Sequence, residues 1–352
     1  MNRTLCQITL VLGGLAISSL GQAQWTVVDL HPSGTSSAAL AVAAGQQGGF
    51  TFGGGIQRGA FWTGSAASFV DMHPAGADES RVNGVGGGQQ GGWATFAGIS
   101  HAALWTGGAG SFVDLHPAGA SSSVINAIGD GLQGGQAFIG GGHAALWNDT
   151  AASFVDLHPA GATNSRIFGV GGGQQGGAAT VGGVGHAALW TGSPGSFIDL
   201  HPAAFSSSEV RAVGGGQQGG FVGVAGGEQA ALWTGTPGSF INLNPAGASF
   251  SAVNGVFGGR QVGTAFSRAA IWSGTAASYV DLGAFLPVGT TGSNAYGVWP
   301  DGATIYVVGL YTNGGLTHAV MWSSPVPEPA TLFVLGPFAA YAMARRRRAK
   351  SR

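Results

Sequence analysis

Seven of the ten tryptophans recur at near-regular intervals, at positions 62, 105, 147, 190, 233, 272 and 322. Each of the first six is followed nine residues later by an acid or its amide: Asp71, Asp114, Asp156, Asp199, Asn242 and Asp281, with Asp29 preceding the whole series. The stretch from each of these positions to the next tryptophan varies, from 30 to 41 residues. A fixed interval beside a variable one is what a tight connection beside longer loops produces. Self-similarity on this scale constrains the fold more than any local signal, because each unit must bury its apolar face against its neighbours.

The unit spanning 71–113 shows what repeats. Ser68 to Met72 alternates in the manner of a strand, and His73-Pro74-Ala75-Gly76 ends it, since proline cannot donate to a ladder. Ser80 to Val85 reads as a second strand, Gly86 to Gln90 as a turn, Gly92 to Ile99 as a third strand and His101 to Trp105 as a fourth. Thr106 to Gly110 turns the chain into the next unit. Four short strands in about 42 residues is the size of one propeller blade.

The two ends of the series complement each other. It opens with Trp25-Thr26-Val27-Val28-Asp29-Leu30, the strand that elsewhere follows a tryptophan strand, and ends with His318 to Trp322, a tryptophan strand without a successor. The first strand can therefore complete the last blade. The expectation is an all-β, seven-bladed β-propeller of 39–50-residue four-stranded units over residues 24–323. A β-solenoid with two rungs per unit is the competing architecture, but it has no use for complementary ends. Trp62, Trp105, Trp147, Trp190, Trp233, Trp272 and Trp322 are assigned to the core between sheets, and Asp29, Asp71, Asp114, Asp156, Asp199 and Asp281 to turn-bonding roles. The 68 glycines, dense in the Gly-Gly-Gly-Gln-Gln-Gly-Gly runs at 86–92, 171–177 and 214–220, fit tight turns and crowded inner strands.

These units resemble the extracellular HAF repeats. The resemblance is carried by His101-Ala102-Ala103-Leu104-Trp105, Val113-Asp114-Leu115 and Gly88-Gln89-Gln90-Gly91-Gly92, and in the last unit by Val280-Asp281-Leu282-Gly283 and His318-Ala319-Val320-Met321-Trp322. Alanine stands for the usual phenylalanine in most units, and His-Pro for Gly-Thr. The resemblance implies an extracellular location and says little about activity.

The two termini read as addresses. Met1-Asn2-Arg3, a largely apolar stretch from Leu5 to Ile17, and Gly21 and Ala23 before Gln24 make residues 1–23 a secretory signal peptide with cleavage after Ala23. The only cysteine, Cys6, lies within it, so the exported body has no disulfide and depends on packing. At the other end, a linker over 324–331 carries Val326-Pro327-Glu328-Pro329, an apolar run over 332–344 reads as a short hydrophobic helix, and Arg345, Arg346, Arg347 and Arg348 open a basic tail over 345–352. Such a helix would reach about 20 Å, against a hydrocarbon core of about 30 Å, which suits a transient transmembrane anchor. The arginines place the tail in the cytoplasm and the body outside. This order of Pro-Glu-Pro, short apolar helix and basic block resembles the PEP-CTERM sorting signal of Gram-negative bacteria. It implies an exosortase-type enzyme as processing partner, then delivery from the inner membrane to the cell surface or extracellular matrix.

Little in the body reads as chemistry. Without its addresses it keeps six arginines and 13 acids, about −7, and no lysine, which argues against nucleic acid as a partner. His31, His73, His116, His158 and His201 follow the recurring acid by two residues, while His101, His143, His186 and His318 open tryptophan strands. Asn244 and Gly283 replace members of the first set, and Arg58, Gln229 and Arg268 members of the second. Residues that follow the repeat in this way are expected to be structural and spread apart, so no metal site, cofactor or catalytic residue is assigned. Asp78, Glu79 and Asp130 read as solvated loop acids. The expectation is a non-catalytic envelope or matrix protein acting as a scaffold or interaction module, with exopolysaccharide or other surface proteins as partners. The alternative is a multivalent lectin that binds glycan in clefts between blades through Trp, Asn and Gln.

Overall fold

The computed structural model of the protein describes residues 25–326. They form seven four-stranded antiparallel sheets. Blades one to six occupy residues 36–71, 79–114, 123–156, 162–199, 207–242 and 251–281; blade seven combines 292–325 with 26–29. The signal peptide and Ala23, Pro327-Glu328-Pro329, the apolar run 332–344 and Arg345 to Arg348 lie outside the described residues. Among those described, no helix is long and apolar enough to cross a membrane.

Blade two shows how the sequence makes a sheet. Its strands run Glu79–Gly86, Gln89–Phe96, Ile99–Trp105 and Val113–Asp114. Two boundaries differ from the sequence expectation, for one reason. Gly87 and Gly88, and likewise Ala97 and Gly98, are consecutive residues with positive φ, at 58°, 82°, 48° and 79°. Two such residues make the tight hairpin turn that suits twisted strands. Gln89 and Gln90 therefore belong to the strand after the first turn, and Ile99 to the strand after the second. Separately, Glu79 pairs with Thr95 and so begins the inner strand instead of lying in a loop. The outermost strand is only two residues long, preceded by a one-turn helix at Ala109–Ser111. A stub of that length leaves little open edge for unwanted pairing.

One glycine in the second strand of each blade has a specific cause. A Cβ on Gly92 would sit 1.8 Å from the Arg81 carbonyl oxygen of the inner strand. The same clash, at 1.9–2.0 Å, recurs at Gly49, Gly135, Gly263 and Gly309. Only glycine lets the inner two strands approach so closely.

The core lies between blades. Ala43 and Phe61 of blade one, with Met72 from the connection that follows it, pack against Val82, Val85, Ala94, Ala103 and Trp105 of blade two. Equivalent clusters join each successive pair, and Leu30, Ala39, Val42, Trp62, Val308 and Met321 join blade seven to blade one. The ring closes as its ends suggested: Thr26–Asp29 pairs antiparallel with the last strand, Val27 opposite Trp322 and Val28 opposite Met321.

Candidate functional site

All seven repeating tryptophans are at most 1% exposed. Six of their indole N–H groups find no hydrogen-bond partner, and only Trp322 donates, to the Leu282 carbonyl at 3.1 Å. They fill volume. The glutamines beside them fasten blades together. Gln218 Nε2 donates to Gln174 Oε1 of the preceding blade at 2.8 Å, and its own Oε1 accepts from the Gly235 N–H at 2.7 Å. Gln90, Gln133 and Gln261 bridge to Gln46, Gln89 and Gln217 in the same manner. This corrects the expectation of glycan-binding clefts between blades: tryptophan and the second glutamine are sealed in, so no cleft presents them.

The recurring acids sit on the outermost strands, and the structure joins two sets of histidines that the sequence reading kept apart. Asp114 Oδ1 accepts the His116 backbone N–H at 2.8 Å, and Oδ2 meets His101 Nδ1 at 2.7 Å. The two rings stack, 4.1 Å apart and 15° from parallel. His143 with His158 and His186 with His201 stack at the same distance, and His31 lies 4.2 Å from His318. Elsewhere the partner of the aspartate changes, Arg58 pairing with Asp71 and Arg268 with Asp281, and in one blade both change, Asn242 pairing with Gln229. Burial, then the facing histidine, pushes His31, His116 and His201 below the usual imidazole range.

Serine, histidine and aspartate therefore meet in most blades, though without the geometry of a nucleophile relay. His116 Nε2 is 3.0 Å from the Ala120 carbonyl, so it carries the proton, and Nδ1 accepts from Ser123 Oγ at 2.9 Å. Ser123 is buried, and its oxygen accepts the Ala102 N–H of the blade before. Asp114 touches the backbone of His116, not its ring. Between blades five and six Asn244 does the same work, donating to the Ala248 carbonyl and accepting from Ser251. The set is a clip between blades. Among the described residues, no group of three or more His, Cys, Asp or Glu is placed to hold a metal.

The repeat breaks its own chemistry on the channel wall. Each innermost strand carries a register shift at an equivalent residue: Leu40, Asn83, Asn126, Phe168, Arg211, Asn254 and Tyr296. Such a bulge re-aims a side chain, and all seven residues line one central cavity of about 480 Å³. The backbone device is the same in every blade; the side chains are aliphatic, amide, aromatic, cationic and phenolic. Asn83 and Asn126 each spend one amide proton on the carbonyl of the next blade, Ile125 and Ile167, both at 2.8 Å. The second proton and the oxygen of each remain available. Arg211 donates to Asn254 Oδ1 at 3.1 Å, and Asn254 donates on to the Ala295 carbonyl at 3.0 Å. Burial pushes the Tyr296 phenol up. Sequence reading missed this ring, although the signal exists: it is the position, two before Val85 or Val170, whose chemistry differs from unit to unit.

No known family model and no curated protein matches the chain. Solved structures share its fold at low identity. The β-propeller domain of the Trilobed protease from Pyrococcus furiosus, described as having an open velcro topology, aligns with a TM-score of 0.53 at 8% identity, over 86% of this chain and 99% of that one. A puromycin-hydrolysing peptidase from Mycobacterium tuberculosis aligns at 0.50 and 14% identity, over 83% of this chain and 54% of the peptidase. TolB from Acinetobacter baumannii aligns at 0.41 and 12%, over 68% of this chain and 64% of TolB. The chain thus spans about half to two thirds of the latter two. It is a seven-bladed propeller.

Proposed function

We propose that this is an exported, PEP-CTERM-sorted surface protein whose body is a non-catalytic binding module, and that its ligand is a matrix glycan held in the central channel. The sorting half of this reading rests on the order of elements in 326–352 and on the HAF-like units. The binding half rests on one observation, the bulge ring, where an otherwise uniform repeat turns seven side chains of five kinds into one cavity. A sugar presents hydroxyl edges and apolar C–H faces. Free amide groups of Asn83 and Asn126 suit the first, and Phe168, Tyr296 and Trp299 suit the second. Binding is therefore assigned to one channel site per propeller, in place of multivalent clefts. The recurring Ser, His and Asp support a non-catalytic role because each is already engaged between blades.

Cell fractionation tests both halves at once. Wild-type protein is expected in the matrix fraction and is released by washing with soluble matrix oligosaccharides. Replacing Pro327-Glu328-Pro329 by alanines is expected to hold the precursor in the inner membrane. Normal release of that variant removes the exosortase half; a matrix-bound wild type that no oligosaccharide displaces removes the glycan half.

A further inference from the structure

The cavity occupies one half of the channel, from the bulges to the hairpins that join first and second strands. The exposed turn residues Gly87, Asp130, Gly172 and Gly215 line it, so it opens on their face of the propeller. Three residues beyond each bulge the chain reaches this mouth. The residue there is Ala43 in blade one and glycine in blades two to five, at 86, 129, 171 and 214. A Cβ on Gly129 would sit 2.1 Å from the Val170 carbonyl oxygen of the next blade, and one on Gly214 2.4 Å from that of Val256. Close approach of these blades demands the smallest residue. Blades six and seven carry Phe257 and Trp299 instead. Their rings are 4.5 Å apart and inclined by 38°, half-buried, and both line the cavity.

Charge at the mouth is as uneven as shape. Arg211 on the wall reaches Glu209 at 3.1 Å and Glu228 at 3.6 Å, and Glu209 also holds Arg166 at 2.7 Å, so two cations meet two acids. Arg81 lies over the Phe50 ring and does not line the cavity. Asp130 does line it, in blade three, across the ring from blades six and seven. Its Oδ2 accepts the Gly173 N–H at 2.9 Å; among the described residues Oδ1 has no hydrogen-bond partner and no cation lies within ion-pair distance. The wall therefore keeps one unmatched negative charge. A carboxylate accepts strong bonds from hydroxyls and repels other carboxylates. Aromatic faces act in the same direction, because their negative face favours C–H groups over anions. A purely apolar ligand would leave Asp130 and the wall amides without partners, which costs binding.

We propose that this mouth is a subsite for an uncharged hexopyranose, with the C–H face of the ring on Trp299 and Phe257. Hydroxyls of the same glycan, across the channel, donate to Asp130 and to the Asn126 oxygen. The channel thereby takes neutral glycans and refuses acidic ones. This rests on the glycan reading above and names its substrate class.

The test is calorimetric titration of the full chain with gluco-, galacto- and manno-configured trisaccharides, each as the neutral sugar and as the uronate, at fixed ionic strength. At least one neutral trimer is expected to bind, about tenfold or more tighter than its uronate. Asp130→Asn keeps an acceptor for Gly173 in a residue type that tolerates the local φ of 54°. It should bring the two affinities within about twofold of each other. Phe257→Leu keeps apolar volume without an aromatic face and should weaken neutral-sugar binding about fivefold with Tm little changed, whereas Phe257→Tyr should bind as the wild type does. Asp78→Asn, in a turn on the opposite face, should alter nothing in binding. Uronate binding as tight as neutral sugar, or an Asp130→Asn protein that still refuses uronate, overturns the proposal while the glycan reading stands. So does a Phe257→Leu protein of undiminished affinity; a lowered Tm in that protein would assign the ring pair to packing between blades. Failure of all six trisaccharides to bind overturns the glycan reading and the proposal together.

Discussion

The outer edge of each blade and the wall of the channel are built on the same repeat, and they treat sequence in opposite ways. At the edge, seven blades make one pairing from interchangeable parts: His101 with Asp114, Arg58 with Asp71, Gln229 with Asn242. On the wall, seven identical bulges present Leu40, Asn83, Asn126, Phe168, Arg211, Asn254 and Tyr296. Where the repeat keeps a function and varies its residues in step, it is serving the fold. Where it keeps the backbone and lets chemistry diverge, stability has released the position for other use. The contrast predicts a gradient of mutational cost, falling from the interblade core through the edge clips to the wall.

The steepest cost belongs to the core. Trp105 is fully buried among Val82, Val85, Ala94 and Ala103, and its indole N–H is unpartnered, so its contribution is volume and apolar area. Trp105→Ala should lower unfolding free energy by about 3–5 kcal/mol in a denaturant titration. Truncation that costs less than about 1 kcal/mol would show that the blades do not depend on this cluster.

The edge clips should show themselves through pH. His31, His116 and His201 have folded pKa values below the ordinary imidazole value of about 6.5, first through burial and second through the facing histidine. The folded state then binds fewer protons than the unfolded one once pH falls through 6.5, so stability is level above that and declines below it until the lower folded values are passed. Protonation also puts a proton on the Nδ1 that accepts from serine. The triple variant His31→Asn, His116→Asn, His201→Asn should retain most stability near pH 8, since Asn244 already fills that place, and lose Tm less steeply between pH 7 and 5. Parallel curves for variant and wild type would remove the clips as the source of acid sensitivity.

Much of this gradient is legible in the sequence. The interval of nine residues from Trp105 to Asp114 gave strand, connection and strand, and the unmatched strand at Thr26–Asp29 gave ring closure. Both rest on local pattern, which alternation and proline report directly. The pairing of His101 with His116 was not legible, because it depends on how the outer strand crosses its neighbour, and neither residue's spacing encodes that angle. The glutamine staples were hidden for a related reason: Gln89 and Gln90 look like turn residues until the positive φ of Gly87 and Gly88 confines the turn to two residues. The channel ring depends on a one-residue bulge, which leaves no mark in hydrophobic alternation beyond a slip of register.

The smallest expected effect is the one that separates wall from core most sharply. Phe168 is as large as many core residues, yet it stands at a bulge where Asn83, Asn126 and Asn254 stand in other blades. Phe168→Asn gives up the contact with the Arg166 guanidinium, now 4.6 Å from the ring centroid, worth roughly 0.5–1 kcal/mol at an exposed site. It gains an amide positioned as Asn126 is, whose proton reaches the carbonyl of the next blade at 2.8 Å. A bond of that kind contributes about 0.5–1.5 kcal/mol net, so the two changes nearly cancel. Unfolding free energy should therefore move by no more than about 0.5 kcal/mol, against the several lost at Trp105. Affinity for a channel ligand should fall, because an aromatic face has been exchanged for an amide. A destabilisation as large as that of the tryptophan variant would mean that the wall carries the fold as the core does, and that its varied chemistry has a structural cause.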